Sequence, residues 1–169
     1  MTHKTHQVPD DGRFWRTITS PVGAILVVVS DNGVMRIDFI DRDVEMNLAR
    51  NNSHAKHPIL SDALAQLSEY FDGSRTTFSL PLDIEGTEFQ QQAWLALARI
   101  PYGHTVSYSE QATSIGRPRA VRAIGTANSK NPIAIVLPCH RVIGADGSLT
   151  GYAGGMDKKI WLLQHEQSR

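Results

Sequence analysis

The chain has 169 residues, enough for one large domain or two small ones with a real core, and its 41% hydrophobic and 20% charged content is that of a globular protein. No apolar run reaches the length of a membrane span, and Met1 to Gly12 is polar with no secretory h-region, so a soluble chain in a reducing cytoplasm is expected. The formal net charge of zero hides an asymmetry: residues 1–86 carry −4 and residues 87–169 carry +4. His3 and His6 have the spacing of a metal-ligand pair, but in so polar a tail they read as unstructured chain.

In the first half, Phe14–Thr19, Ala24–Ser30 and Val34–Phe39 are short alternating or β-branched runs, which predict strands. Asn32-Gly33 lies between the second and third and predicts a two-residue hairpin. Leu60, Leu64, Leu67 and Phe71 follow helical spacing up to Gly73. Thr77–Ile84 reads as one more strand, on an edge because of Pro81. These residues, 1–86, form a structural N-terminal α/β domain with a small antiparallel sheet, and nothing in them has the look of chemistry.

The second half is helical and well punctuated. Thr87-x-x-Gln90 is a capping box that opens a helix through Phe89, Ala93, Leu97 and Ile100, ending at Pro101-Tyr102-Gly103. Ser107-x-x-Glu110 opens a second, short helix that Gly116 should close. Pro118 suits the first position of a third, running through Ala120, Val121, Arg122, Ala123 and Ile124 to about Asn128. Two short helices joined at Gly116-Arg117 fit a helix-turn-helix or a generic helical hairpin equally well on spacing. Composition favours nucleic acid: Arg117, Arg119 and Arg122 alternate with small Ala120, Ala123 and Gly125, which would let the helix approach a phosphate backbone closely. Between Arg99 and Arg141 only Glu110 is acidic, although a basic run is often just a solvated face.

The apolar run Ile133–Leu137 then predicts a buried strand delivering Cys139, the chain's single cysteine, to a bend at Pro138-Cys139-His140-Arg141-Val142. A lone thiol forms no intramolecular disulfide and is too few for a cysteine-rich zinc site. It is either a small buried apolar residue or a nucleophile whose pKa its neighbours His140 and Arg141 lower. Gly144-Ala145-Asp146-Gly147 is turn chemistry, and Gly151-Tyr152-Ala153-Gly154-Gly155 reads as a pocket lip, without the spacing of a phosphate-binding loop. Asp157 is placed to cap a last helix carrying Ile160, Trp161, Leu162 and Leu163. Residues 87–169 are thus expected to form a mainly helical, winged-helix-like domain that holds both the helix-turn-helix and the cysteine. The fold class is α+β in two parts.

Taken together, Asn131-Pro132-Ile133, Pro138-Cys139-His140-Arg141-Val142-Ile143-Gly144, Gly151-Tyr152-x-Gly154-Gly155 and Leu162-Leu163-x-His165-Glu166 closely resemble the O6-alkylguanine-DNA alkyltransferases. Pro101-Tyr102-Gly103, Ser107-Tyr108 and Arg122-Ala123-Ile124-Gly125 match in the same order. The likeness is dense from Thr87 to Glu166, and Thr19-Ser20-Pro21-Val22-Gly23 extends it more loosely into the first half.

That resemblance implies direct-reversal DNA repair. An alkyl group on guanine O6 lies inside the duplex, so the base must be flipped out, and O4-alkylthymine would be handled the same way. Double-stranded DNA would bind through its minor groove, with Ala123 and Gly125 close to it and Arg122 filling the vacated stack; the plainer role for Arg122 is a phosphate contact. Arg117 and Arg119 would lie along the backbone. Cys139 would take the alkyl group irreversibly, one event per molecule, after His140 removes the thiol proton through a water and Glu166 orients the imidazole. Tyr108 would protonate the leaving base. Asn131 would brace the cysteine segment against the recognition helix, and Arg141 would be a salt-bridge partner. Backbone carbonyls near Cys139 and Val142 would accept from the guanine amine, the Ala153 amide would face O6, and Tyr152 and Gly154 would form the lip.

The chain departs from frequent family choices at Arg119, where glycine is common, and at Val121, where alanine is common. At Ala153 some members carry serine. Members that bind zinc do so through cysteines this chain lacks, so no metal and no cofactor are expected, in a monomer that does not associate with membranes. Two other readings compete. A cysteine hydrolase would turn over, and a non-catalytic sensor of alkylated bases or a DNA-binding regulator would need no thiol. Related sensors lack the cysteine.

Overall fold

The computed structural model describes residues 12–50 and 56–167, so His3 and His6 lie outside the described residues. The chain divides into two compact units, Met1–Arg75 with Ser79–Asp83, and Thr76–Phe78 with Ile84–Arg169.

The first unit is built on three antiparallel strands in sequence order, β1 (Phe14–Ser20), β2 (Gly23–Val29) and β3 (Val34–Ile40). Ile25 to Val29 of the central strand are all fully buried, because both faces of the sheet are covered. On one face Leu26 and Val28 pack with Ile40, Trp15 and the Val44 and Leu48 side chains of α1 (Arg42–Arg50). The other face receives α2 (Pro58–Asp72), whose Leu60, Ala63, Leu67 and Tyr70 fall at helical spacing and are buried. His57 caps α2 by accepting from the Ile59 amide through Nδ1, while its Nε2 donates to Asp31 at 3.0 Å.

Two local expectations for this unit fail. The two-residue hairpin joins β1 to β2 through Pro21-Val22, with Gly23 at φ +100° and Ser20 Oγ bonded to both sides of the turn. Asn32-Gly33 instead ends a four-residue loop, because β2 and β3 slip register at Val28/Val29 and Ser30 N–H closes on the Gly33 carbonyl. The expected strand over Thr77–Ile84 is one bridge, Leu82 beside Val34. The segment comes so near that a Cβ on Gly33 would sit 2.7 Å from the Pro81 oxygen. Pro81 has no N–H, so the pairing does not extend beyond Val34 N–H to Pro81 O and Asp83 N–H to Val34 O.

The second unit starts with α3 (Glu88–Leu97) and continues through β4 (Val106–Ser107), α4 (Tyr108–Ser114) and α5 (Val121–Ser129). Both capping boxes form with side-chain and backbone bonds in place, Thr87 with Gln90 and Ser107 with Glu110. Small Ala93, Ala112 and Ala127 let the three helices close around Ile124, with Phe89, Tyr108 and Ile115 at the edge. Inside this core Gln111 and Asn128 exchange amide bonds of 3.0 and 2.8 Å, and Gln111 also donates to the Ala93 carbonyl. Trp94 donates to the Ala127 carbonyl at 2.8 Å.

Helix α5 begins three residues later than Pro118 predicts. Pro118 and Arg119 lie in a turn closed by Ala120 N–H on the Arg117 carbonyl, and Ala120 caps α5 without a side-chain bond. Ile133–Leu137 is a compact turn rather than a strand. Its apolar side chains are mainly buried, but its backbone folds on itself, with Leu137 N–H on the Ile133 carbonyl and Ile135 at φ +73°. Cys139–Arg141 form one 3₁₀ turn leading into β5 (Val142–Ile143), which pairs in parallel with β4. The last helix, α6 (Met156–Gln167), starts before Asp157, which therefore sits in its first turn rather than capping it.

Candidate active site

Asn131 follows α5 and organises the turn that carries the cysteine. Its carbonyl oxygen accepts from the Ile133 amide at 3.0 Å, and its Nδ2 donates to the Leu137 carbonyl at 2.7 Å and to Cys139 Sγ at 3.2 Å. A polar side chain thereby does the work that a strand partner would have done. Cys139 is 8% exposed, and burial pushes its thiol above the ordinary 9.0 despite the Asn131 hydrogen bond, the Lys159 charge and a Tyr152 hydrogen bond.

Neither sequence neighbour of Cys139 supplies the charge that lowers the thiol's pKa. His140 is fully buried, and desolvation holds its pKa below 6.5 even though Glu166 works the other way, so the imidazole is neutral at pH 7. Its Nε2 meets Glu166 Oε1 at 2.7 Å, while Nδ1, with no protein partner among the described residues, is left to serve a proton. Arg141 turns from the thiol to grip Glu166 in a fork, Nε to Oε2 and Nη2 to Oε1, both at 2.9 Å, with Nη1 on the Ile100 carbonyl at 2.6 Å. Burial opposes ionisation of Glu166, yet the bonds from His140 and Arg141 hold its carboxyl at about 2.

The cation whose charge lowers the thiol's pKa is Lys159, which the sequence reading passes over. Its side chain is fully buried, with Nζ donating to the Val142 carbonyl at 2.7 Å and the Thr150 carbonyl at 3.0 Å. Desolvation lowers its pKa and the Cys139 charge raises it. A signal was present: Lys159, Leu162, Leu163 and Glu166 are one helical stripe, and all four are buried, so charges close both ends of a core-facing row. Tyr152 also reaches further than a lip, since its hydroxyl is buried and acts on the Cys139 thiol, and desolvation drives its own pKa well above 10.0.

Around this centre the remaining candidates divide. Tyr108 opens α4, and its hydroxyl accepts from Thr150 Oγ1 at 3.2 Å. Val142 offers a carbonyl with one lone pair already on Lys159. Ala153 is exposed and Gly154 half-buried in the loop before α6. Arg117, Arg119, Arg122 and Ala123 are all exposed, on α5 or the turn ahead of it, and open space lies over Gly125. The arrangement is a buried thiol with an amide on its sulfur and the Lys159 charge acting on it, next in sequence to the imidazole of an imidazole–carboxylate pair.

Residues 14–84 match the family description "6-O-methylguanine DNA methyltransferase, ribonuclease-like domain", and residues 88–168 match "6-O-methylguanine DNA methyltransferase, DNA binding domain". The chain is 46% identical to a methylated-DNA–protein-cysteine methyltransferase of Methanosarcina barkeri, over 92% of this chain and 98% of that one. It is 43% identical to a constitutive protein of that name from Bacillus subtilis, over 91% and 95% of the two chains. Its fold is similar to the crystal structure of Mycobacterium tuberculosis O6-methylguanine methyltransferase, with TM-score 0.81 and 45% identity over 93% and 94% of the chains. A Mycobacterium tuberculosis structure in complex with DNA gives TM-score 0.79 at 44% identity, over 92% and 93%.

Proposed function

Because this chain belongs to the 6-O-methylguanine DNA methyltransferase family and carries out direct-reversal repair of methylated DNA, we propose that Cys139 accepts the alkyl group of a flipped O6-alkylguanine, once per molecule. The supporting observation is the pairing of a raised thiol pKa with a neutral, carboxylate-backed imidazole next to it. A thiol held in its protonated form needs a base, and His140 is held in the form that can be one. Moving the thiol proton to His140 through a water leaves a thiolate that the Lys159 charge favours and an imidazolium on Glu166, so both new charges are offset by an opposite one.

The thiolate lone pair then forms the S–C bond as the C–O6 bond breaks, and the bonding electrons pass into the purine, which takes its proton from Tyr108. The thioether lies outside thiol–disulfide exchange, so no ordinary reductant regenerates Cys139. DNA is the partner, and Arg117, Arg119 and Arg122 are the exposed cations for it, in the minor groove on this reading. O4-alkylthymine would be a second substrate. The protein acts as a monomer in the cytoplasm, where a reduced thiol persists; no described helix is long and apolar enough to cross a membrane. A sensor or simple DNA-binding regulator would have no use for a buried neutral imidazole next in sequence to a buried thiol.

The pH dependence of single-turnover methyl transfer tests the proton path. The rate should fall on acidification with a limb below 6.5, where His140 takes up a proton. His140→Gln should lose that limb and retain a slow reaction that rises with pH as the thiol ionises unaided. An acid limb that survives in His140→Gln would remove His140 from the path.

A further inference from the structure

We infer that Thr150 is a positioning residue that aims the Tyr108 proton at the leaving base. The inference rests on Tyr108 being the proton donor in the reaction above. The Tyr108 ring is fixed, since it starts α4 behind a complete capping box and packs against the Ala93, Ala112, Ile124 and Ala127 cluster. What remains free is rotation of its O–H. A phenol carries one proton and can also accept, and Thr150 Oγ1 donates to Tyr108 Oη at 3.2 Å. With that acceptor direction occupied, the phenol proton points elsewhere and is available to the base. The same bond meets the negative charge that grows on Oη as the proton leaves.

Thr150 is itself held in place from the thiol side. Its carbonyl accepts from Lys159 Nζ at 3.0 Å, and the other Lys159 bond goes to Val142 in β5. Val142 pairs with Val106 of β4, two residues before Tyr108. One buried ammonium therefore ties the loop carrying Thr150 to the strand pair that leads into Tyr108, and its charge also favours the thiolate. A valine would fill the threonine's volume with the same χ1 stiffness and no hydroxyl.

The balance of the step is complete. The thiol proton leaves by His140, sulfur bonds to the alkyl carbon, the C–O6 electrons enter the purine, and the purine gains the Tyr108 proton. The phenolate left behind is reprotonated from solvent once the base departs.

The experiment is a set of single-turnover rates for the full chain at saturating duplex carrying O6-methylguanine, with affinity for the same duplex measured separately on Cys139→Ser proteins. Thr150→Val should slow transfer about tenfold, the scale of one hydrogen bond to a developing charge, with unchanged affinity. Thr150→Ser should restore the rate, and Thr150→Val should cost nothing further in Tyr108→Phe. The loss should shrink when the leaving base is an 8-azaguanine, which needs less protonation to depart. A Thr150→Val effect that is equal in both backgrounds, or confined to affinity, overturns the inference and leaves Tyr108 as the donor. A Tyr108→Phe protein as fast as the unaltered one overturns both.

Discussion

At Cys139 burial and hydrogen bonding pull in opposite directions, and burial wins at rest. The consequence is a thiol protected from casual oxidation and alkylation until its proton is taken. Glu166 shows the reverse outcome, since two charged or polar partners overcome its burial and hold the carboxyl at about 2. A carboxyl whose ordinary value is 4.5 contributes stability that is complete above 4.5 and is lost as pH falls toward 2. His140 adds to this with the same sign, because its folded pKa lies below 6.5 and the unfolded chain takes up the proton first. Urea unfolding between pH 7 and 3 should show a loss of about 2 kcal/mol traceable to Glu166. Glu166→Gln should flatten that dependence while lowering stability at pH 7, because Arg141 is left buried without its carboxylate. An unchanged acid limb in Glu166→Gln would place the sensitivity elsewhere. The residue-level chemistry was legible as far as the identities of Cys139, His140 and Glu166. Their partnerships were not, because the sequence neighbours His140 and Arg141 face Glu166, while the cation whose charge favours the thiolate comes from twenty residues downstream on α6.

Among the elements, the two capping boxes were readable because each is a bond between residues three apart, closed within its own turn. The misread segments all depend on distant partners. Ile133–Leu137 has strand composition but no ladder to join, and Asn131 closes it as a turn instead. Asn32-Gly33 is good hairpin chemistry in a register that β2 and β3 do not adopt. The Gln111–Asn128 pair is likewise invisible from spacing, since 17 residues separate two amides that together pin α4 to α5. Gln111→Met or Asn128→Leu alone leaves a buried amide without its partner and should cost about 1–3 kcal/mol each. The double variant should recover much of that loss, as apolar side chains of similar shape replace both. Chemical denaturation of the four proteins measures the coupling, and strictly additive losses would show that the amides do not act as a pair.

For the molecule as a whole, zero net charge conceals a useful division, with the excess of bases confined to residues 87–169. Of these, Lys159 and Arg141 are spent on the buried site, so the exposed positive charge of this half is carried by side chains such as Arg117, Arg119, Arg122 and Lys130. The division into an antiparallel sheet unit and a helical unit was legible from alternation and capping. The 3₁₀ turn and the β4–β5 pair that carry the site between helices were not, being only two or three residues long. The central claim is that the whole apparatus serves one irreversible transfer to one sulfur. Intact mass and peptide mapping after incubation with excess duplex containing O6-methylguanine test it directly. One methylene increment per molecule, on the peptide carrying Cys139 and absent from Cys139→Ser, is the predicted result; an unchanged mass, or continued repair beyond one lesion per molecule, would contradict it.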